Sequence, residues 1–136
     1  MGQFAPPVRH LVLVIEDEPI LRLDAIDMVE QAGFEAVEAT SADNAIHILE
    51  TRPDIRIVYM DLDMPKGIKG IEVAAAIRDR WPPIEIILTA AFFKREDVKL
   101  PPRAEFYPKP YARDEIVAAI QRLGAQGSVE YKHPVD

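Results

Sequence analysis

The sequence contains no cysteine, and its apolar runs are short. Without cysteine the chain has no disulfide framework, no thiolate metal site and no thiol nucleophile. Runs such as Leu11 to Ile15 fall well below the roughly 20 residues that a membrane helix needs. The opening MGQFAPPVRH lacks the charged segment and following apolar segment of a secretory signal. We therefore expect a cytoplasmic chain that makes no contact with a membrane.

Positive charge is also scarce. The chain has 16 Lys and Arg residues against 23 Asp and Glu residues, for a formal net charge of −7. Nucleic acids and anionic lipids attract clustered Lys and Arg side chains. We therefore expect no nucleic acid partner, and a cation or another protein is the favoured one.

Short apolar segments alternate five times with segments of helical periodicity over the 136 residues. The predicted strands are His10 to Ile15, Phe34 to Ala39, Ile55 to Met60, Ile84 to Leu88 and Ala104 to Pro108. Strict alternation with short connections predicts one α/β domain, in which helices cover both faces of a parallel sheet. The fourth helix, from about Phe93 to Lys99, is predicted to be short because its pattern is weak.

Polar side chains follow four of these strands. They are Glu16 and Asp17 after the first strand, Asp61 after the third, Thr89 after the fourth and Lys109 after the fifth. Ligands of such sheets lie beyond the carboxyl ends of the strands, so these side chains are expected to share one rim. Carboxylates brought together repel each other unless a cation or proton compensates, and an oxygen-only set favours Mg²⁺. The rim therefore predicts a site for Mg²⁺ and phosphate.

Each of these residues also has a simpler interpretation. The acidic group at positions 16–18 precedes a helix, where negative charge is favourable without any further role. Thr89 could simply end a strand, and Lys109 could be a solvated loop lysine. Their convergence on one edge is what favours the functional interpretation.

Four motifs occur in order, each at the end of its own strand: VIEDEP, MDLDMP, LTA and PKP. Together they resemble the receiver domain of two-component response regulators over Leu11 to Leu123. The resemblance implies a doubly wound, flavodoxin-like (βα)5 fold with strand order 2-1-3-4-5 and five flanking helices. It also implies a stand-alone receiver at residues 10–124, between an N-terminal extension at 1–9 and a C-terminal tail at 125–136.

The resemblance further implies that Asp61, and not Asp63, accepts a phosphoryl group in a Mg²⁺-dependent reaction. Asp17, Asp61 and the backbone carbonyl of Asp63 would bind the metal directly, and Glu16 would act through a water. Lys109 would pair with Asp61 and then with the phosphoryl oxygens. Asp63 would lie beside the phosphoryl group and is expected to influence its lifetime, in either direction.

Thr89 would turn its hydroxyl towards the same oxygens, and Phe106 would report the change of state through its rotamer. The resemblance implies that the peptide bond between Lys109 and Pro110 is cis. Such a domain is a phosphoacceptor and not an enzyme in the usual sense. Its expected partners are a sensor histidine kinase or a histidine phosphotransfer protein, together with an unknown downstream protein. In this family a homodimer can form through the face of the fourth helix, the fifth strand and the fifth helix. The short fourth helix weakens the inference of such a homodimer here, but a homodimer stays open.

Two other functions remain open from the residues. A strand followed by D-x-D is also typical of haloacid-dehalogenase-like phosphatases, where Asp61 would be the nucleophile and Asp63 the acid/base. In those enzymes the acidic metal pair follows the lysine, whereas Glu16 and Asp17 precede it here. The second alternative is a receiver-like module that binds partners without being phosphorylated.

Overall fold

The computed structural model describes residues 10–63 and 67–132. Three predicted features lie wholly or partly outside those residues. They are the N-terminal extension at 1–9, the Met64-Pro65 pair of the third-strand motif and the end of the predicted tail at 133–136. No helix within the described ranges is long and apolar enough to cross a membrane.

The described residues form a sheet of five strands in the order β2-β1-β3-β4-β5. All neighbouring strands are parallel, and the predicted strand order is confirmed. In chain order the elements are β1 (Leu11–Ile15), α1 (Pro19–Gln31), β2 (Glu35–Ala39), α2 (Ala42–Thr51), β3 (Ile55–Asp61), α3 (Gly67–Arg80), β4 (Glu85–Ala90), a 3-10 turn (Arg95–Asp97), β5 (Ala104–Pro108) and α4 (Arg113–Lys132).

The central strands are apolar on both sides because helices cover both faces of the sheet. All 5 residues of β1 and all 6 of β4 are buried, whereas the edge strand β2 is buried only at Ala39. One half of the core lies on the side of α2 and α3 and includes Leu13, Met60 and Ile77. The other half lies on the side of α1 and α4 and includes Met28 and Ile120.

Local signals in the sequence explain where α1 begins and ends. The Glu18 carboxylate accepts hydrogen bonds from the backbone N–H groups of Ile20 and Leu21 and so caps the helix. Pro19 occupies the first turn, where its missing N–H has no partner to lose. Gly33 follows the helix with φ of +91°, a left-handed conformation that favours glycine.

The prediction of five α-helices is wrong by one. The described residues contain four α-helices, and a 3-10 turn at Arg95–Asp97 replaces the predicted fourth helix. Val98 is the only buried residue between positions 91 and 100, and Pro101-Pro102 follow closely. A helix this short needs an apolar face against the core, and this segment offers one buried anchor.

The last helix is longer than its apolar stripe suggested. Helix α4 continues to Lys132, beyond the boundary predicted at residue 124. The segment predicted as a tail therefore begins as helix.

Candidate functional site

The register of the strands brings the predicted residues to one edge of the sheet. Asp61 on β3 is paired with Thr89 on β4, and Ala90 is paired with Pro108 on β5. The backbone N–H of Lys109 donates to the carbonyl of Ala90 at 2.8 Å. The last residues of three neighbouring strands thus lie at one level.

An open cleft of about 570 Å³ lies at this edge. Its lining includes the predicted metal ligands and the predicted lysine, namely Glu16, Asp17, Asp61, Asp63 and Lys109. Thr89 lies behind the wall of the cleft and is fully buried. The structure therefore brings the predicted site residues together at one edge of the sheet. Thr89 is the exception, because it is buried and does not line the cleft.

Asp61 and Lys109 form an ion pair at the base of the cleft. The Nζ atom of Lys109 lies 2.7 Å from Oδ2 of Asp61, whose side chain is 3% exposed. Burial lowers the pKa of Lys109, but its hydrogen bonds and charge interactions with Asp61 and Asp63 together outweigh burial and the net shift is upward. Lys109 therefore stays charged and balances the carboxylate that the fold has buried.

Glu16 adds a second buried carboxyl group beside Asp61. It is 3% exposed, and one of its carboxyl oxygens accepts the N–H of Glu18 at 3.1 Å. Burial, and then the hydrogen bond with Asp61, raise the pKa of Glu16 well above its usual range. Lys109 supplies a single positive charge beside these two carboxyl groups, so the repulsion between them is only partly offset. The pair is thus a place where bound positive charge would be stabilising.

The acidic group at positions 16–18 divides into three roles. Glu18 caps helix α1, which is the simple interpretation of that group, while Asp17 is exposed at the cleft. Only Glu16 is buried against Asp61. Within residues 10–63 and 67–132, no group of three or more His, Cys, Asp or Glu side chains is already arranged to hold a metal ion. The carboxylates share a cleft without forming a preformed cage.

Asp63 makes contacts that the sequence did not predict. Its Oδ2 atom accepts the backbone N–H of Ala91 at 2.6 Å, and its Oδ1 atom accepts that of Phe92 at 3.2 Å. Oδ2 also lies 3.3 Å from Nζ of Lys109. The N–H of Asp63 itself donates to Oδ1 of Asp61 at 2.8 Å. The Asp63 side chain therefore ties the end of β3 to the loop that follows β4.

Thr89 carries a buried hydroxyl whose hydrogen-bonding capacity is not used. Its Oγ1 atom has no hydrogen-bond partner in the part of the chain that the structure describes. The Tyr59 hydroxyl interacts with it, but the hydrogen bond of good geometry that Tyr59 makes is to the hydroxyl of Tyr111, at 3.0 Å. Burial, and then Tyr111, raise the pKa of Tyr59. An unpaired buried hydroxyl is costly, and at a functional site it often awaits a ligand.

Two further predictions concern β5 and the residues after it. The peptide bond between Lys109 and Pro110 is cis, which confirms the expectation from the resemblance. Phe106 is 5% exposed and packs in the half of the core on the side of α2 and α3. Its ring is thus in the inward position in this structure.

Known proteins share this fold and this sequence pattern. The family model of the response regulator receiver domain matches residues 12–121. The transcriptional regulatory protein PdtaR of Mycobacterium tuberculosis is 32% identical over 119 residues, which cover 84% of this chain and 56% of PdtaR. The chain therefore belongs to the response regulator receiver domain family, a family of signalling domains in two-component systems. It spans about half the length of the curated relatives that it matches.

Solved structures agree on the fold. A response regulator receiver protein from Sinorhizobium medicae WSM419 is 25% identical with a TM-score of 0.75, covering 85% of this chain and 94% of that one. A chain of the co-crystal structure of the Saccharomyces cerevisiae phosphotransfer protein Ypd1 with the receiver domain of Ssk1 is 20% identical with a TM-score of 0.70, covering 86% and 90%. These likenesses support the flavodoxin-like arrangement described above.

Proposed function

We propose that this receiver domain accepts a phosphoryl group on Asp61 from a phosphohistidine, in a reaction that depends on Mg²⁺. The observation that carries the proposal is the ion pair of Asp61 with Lys109, buried at the base of the cleft. A carboxylate held at a strand end beside a fixed cation suits phosphoryl transfer, where the protein mainly positions groups and neutralises charge. Asp61 is the favoured acceptor because it ends β3 with Lys109 at 2.7 Å, whereas Asp63 lies farther from Lys109, at 3.3 Å, and is bound to the loop after β4.

The donor atoms fit Mg²⁺ by their chemistry. The cleft offers carboxylate oxygens and no described His or Cys, and hard divalent cations prefer oxygen ligands. Asp17, Asp61 and the backbone carbonyl of Asp63 would hold the ion, with Glu16 acting through a water. When bound, Mg²⁺ would neutralise part of the negative charge on the transferred group.

The remaining chemistry belongs to the side chains of this chain. A carboxylate oxygen of Asp61 forms a bond to phosphorus, while the bond from phosphorus to the partner's histidine nitrogen breaks and the nitrogen keeps the electron pair. Lys109 donates to the phosphoryl oxygens in place of its present bond to Asp61. Thr89 turns its unpaired hydroxyl to the same oxygens, which gives that buried group its missing partner.

The partner that we propose is a sensor histidine kinase or a histidine phosphotransfer protein. Four large apolar side chains are exposed around the cleft or on the first turns of α1, and we call them the apolar rim: Ile20, Leu21, Leu23 and Phe92. Leu21 and Phe92 line the cleft itself. Exposed apolar groups beside a reactive site are typical of a surface that a protein partner covers. The Ssk1 receiver domain, which was solved with Ypd1, sets the precedent for such a complex.

Signalling would follow from protein contact. New hydrogen bonds from Thr89 and Lys109 would bias an existing equilibrium between two arrangements of the loops after β3 and β4, and Phe106 would follow that change.

Action as a stand-alone receiver, a cytoplasmic location and homodimer formation stay predictions from the sequence. A phosphatase of the haloacid-dehalogenase type is less favoured, because Asp63 bound to two amides is poorly placed to act as acid and base.

The proposal is tested by labelling with a small phosphodonor. Wild-type protein, Asp61→Asn and Asp63→Asn are incubated with acetyl phosphate and Mg²⁺, and their intact masses are compared. We expect wild type and Asp63→Asn to gain one phosphoryl group and Asp61→Asn to gain none. Equal labelling of Asp61→Asn would refute the assignment. Sustained hydrolysis of a phosphomonoester by the wild type would instead support the phosphatase.

A further inference from the structure

The carboxylate of Asp63 lies in the position of a bound anion. Its two oxygens accept the N–H groups of Ala91 and Phe92 and face the ammonium of Lys109. The side chain of Asp63 is 11% exposed, although Ala91 and Phe92 are themselves exposed residues. Successive backbone N–H groups together with a cation form an arrangement that binds anions generally.

A phosphoryl group on Asp61 would draw on the same lysine and would need further donors of the same kind. Its terminal oxygens require strong hydrogen-bond donors at close range. Lys109 is already shared between Asp61 and Asp63, and the amides of Ala91 and Phe92 are held by Asp63. The Thr89 hydroxyl, by contrast, has no hydrogen-bond partner among the described residues.

We propose that Asp63 is an internal anion that competes with the phosphoryl group and anchors the loop after β4 until phosphorylation displaces it. The inference rests on the proposed function of Asp61. Negative charge on Asp63 repels an incoming anion, and its hydrogen bonds must break before Ala91, Phe92 and Lys109 can turn to a new group. Asp63 is therefore a positioning residue that acts through the loop and the lysine.

Displacement of Asp63 would have a consequence on the protein surface. Phe92 is 86% exposed and belongs to the apolar rim, and its backbone is one of the two points where Asp63 holds the loop. Loss of that hydrogen bond frees the segment between β4 and the 3-10 turn to change its arrangement. The charge change at Asp61 is thus coupled to the position of Phe92, an exposed apolar side chain that a partner protein can contact.

The first arm of the test concerns the protein without phosphate or metal. The ¹H–¹⁵N signals and hydrogen exchange of the Ala91 and Phe92 amides are measured in wild type, Asp63→Ala and Asp63→Asn. Asp97→Asn serves as the matched control, because Asp97 is an exposed carboxylate in the same connection. We expect both amides to shift and to exchange faster in Asp63→Ala, and to stay unchanged in the control. Unchanged signals and exchange rates of both amides in Asp63→Ala would show that Asp63 does not anchor the loop after β4.

The second arm uses beryllofluoride with Mg²⁺ as a phosphoryl analogue. Removing the competing charge should tighten beryllofluoride binding in Asp63→Ala and Asp63→Asn by roughly three- to tenfold, as expected for one like charge at close range. If the variants bind beryllofluoride as tightly as wild type, or more weakly, Asp63 does not compete with the phosphoryl group.

The two arms separate failure of this inference from failure of the proposed function. If beryllofluoride binds none of the proteins, the Asp61 assignment fails and the competition fails with it. The amide signals then still decide whether Asp63 anchors the loop, because they are recorded without any ligand.

Discussion

The ammonium of Lys109 lies 2.7 Å from Asp61 and 3.3 Å from Asp63, so one cation is shared by two carboxylates. Asp61 ends β3 and Lys109 follows β5, and these strands are not neighbours, since β4 lies between them. The pair therefore depends on the whole carboxyl edge of the sheet being assembled. Both the stability of this edge and its proposed chemistry depend on the same contact.

Replacement of Lys109 should destabilise the fold and suppress phosphorylation together. Lys109→Ala leaves the buried carboxylate of Asp61 beside Glu16 and Asp63 without a cation. We expect the free energy of unfolding to fall by roughly 1–3 kcal/mol, below the cost of breaking a fully buried pair because Lys109 is partly exposed. Urea unfolding measures the change, and Lys99→Ala is the control because Lys99 is exposed. An equal loss of stability in both variants would contradict the role of the pair.

Mg²⁺ binding should depend on Asp17. The variant Asp17→Asn removes a charged oxygen from the rim of the cleft, and we expect Mg²⁺ affinity to fall by roughly tenfold, as loss of an ionic contact of about 1.4 kcal/mol implies. Isothermal calorimetry or amide signals should be used in place of tryptophan fluorescence. The single tryptophan of the sequence, Trp81, follows α3 next to the start of β4, at the end of the sheet opposite the cleft. Asp43→Asn on α2 is the control. Unchanged affinity in Asp17→Asn would mean that this acidic residue has no metal role.

The apolar rim should matter for the protein donor more than for a small donor. The double variant Ile20→Ser and Leu23→Ser removes two side chains that are 72% and 65% exposed. We expect transfer from a cognate kinase to slow by about tenfold or more, as loss of apolar contacts at the centre of an interface implies. Labelling by acetyl phosphate should fall far less. His47→Ser, an exposed change on α2, is the control, and parallel losses with both donors would argue against docking on this surface.

An ion pair away from the site should make stability depend on pH. Both carboxylate oxygens of Glu105 on β5 accept from Arg122 on α4, at 2.7 and 2.8 Å. The hydrogen bonds from Arg122 lower the pKa of Glu105 below its ordinary 4.5. A lowered carboxyl pKa stabilises the fold above the ordinary pKa, and this contribution is lost as pH falls through the folded-state pKa.

The stability of Arg122→Ala should therefore be lower than that of wild type at pH 7, by about 0.5–1 kcal/mol for a partly exposed pair. The difference should shrink at pH 3, where Glu105 becomes protonated. Urea unfolding at both pH values measures it. A difference that stays constant with pH would show that Arg122 acts through packing and not through charge.

The strand order and the residues at the strand ends could be predicted because their signals are local. Continuous apolar runs identify β1, β3 and β4, and the rules for parallel sheets place Asp61, Thr89 and Lys109 at one edge. The prediction of a fourth α-helix was wrong because it followed the regular alternation of strands and helices. The segment has one buried anchor, Val98, and two prolines close behind it.

The parts that could not be predicted depend on contacts between distant residues. The carboxylate of Asp63 was expected beside the phosphoryl group, but its partners at Ala91 and Phe92 become neighbours only when the loops fold. The hydrogen bond between Tyr59 and Tyr111 likewise joins residues 52 positions apart. An aspartate two residues after the acceptor, facing the loop of the next strand, is the one signal that could have indicated the first of these contacts.

The most direct test of the central claim is to locate the phosphoryl group chemically. Protein labelled with acetyl phosphate and Mg²⁺ is treated with borohydride, which reduces an aspartyl phosphate to an alcohol, and the peptides are mapped by mass spectrometry. We expect the reduced side chain at position 61, in an amount that follows the extent of labelling. Reduction at Asp63 or Asp17, with position 61 intact, would contradict the account.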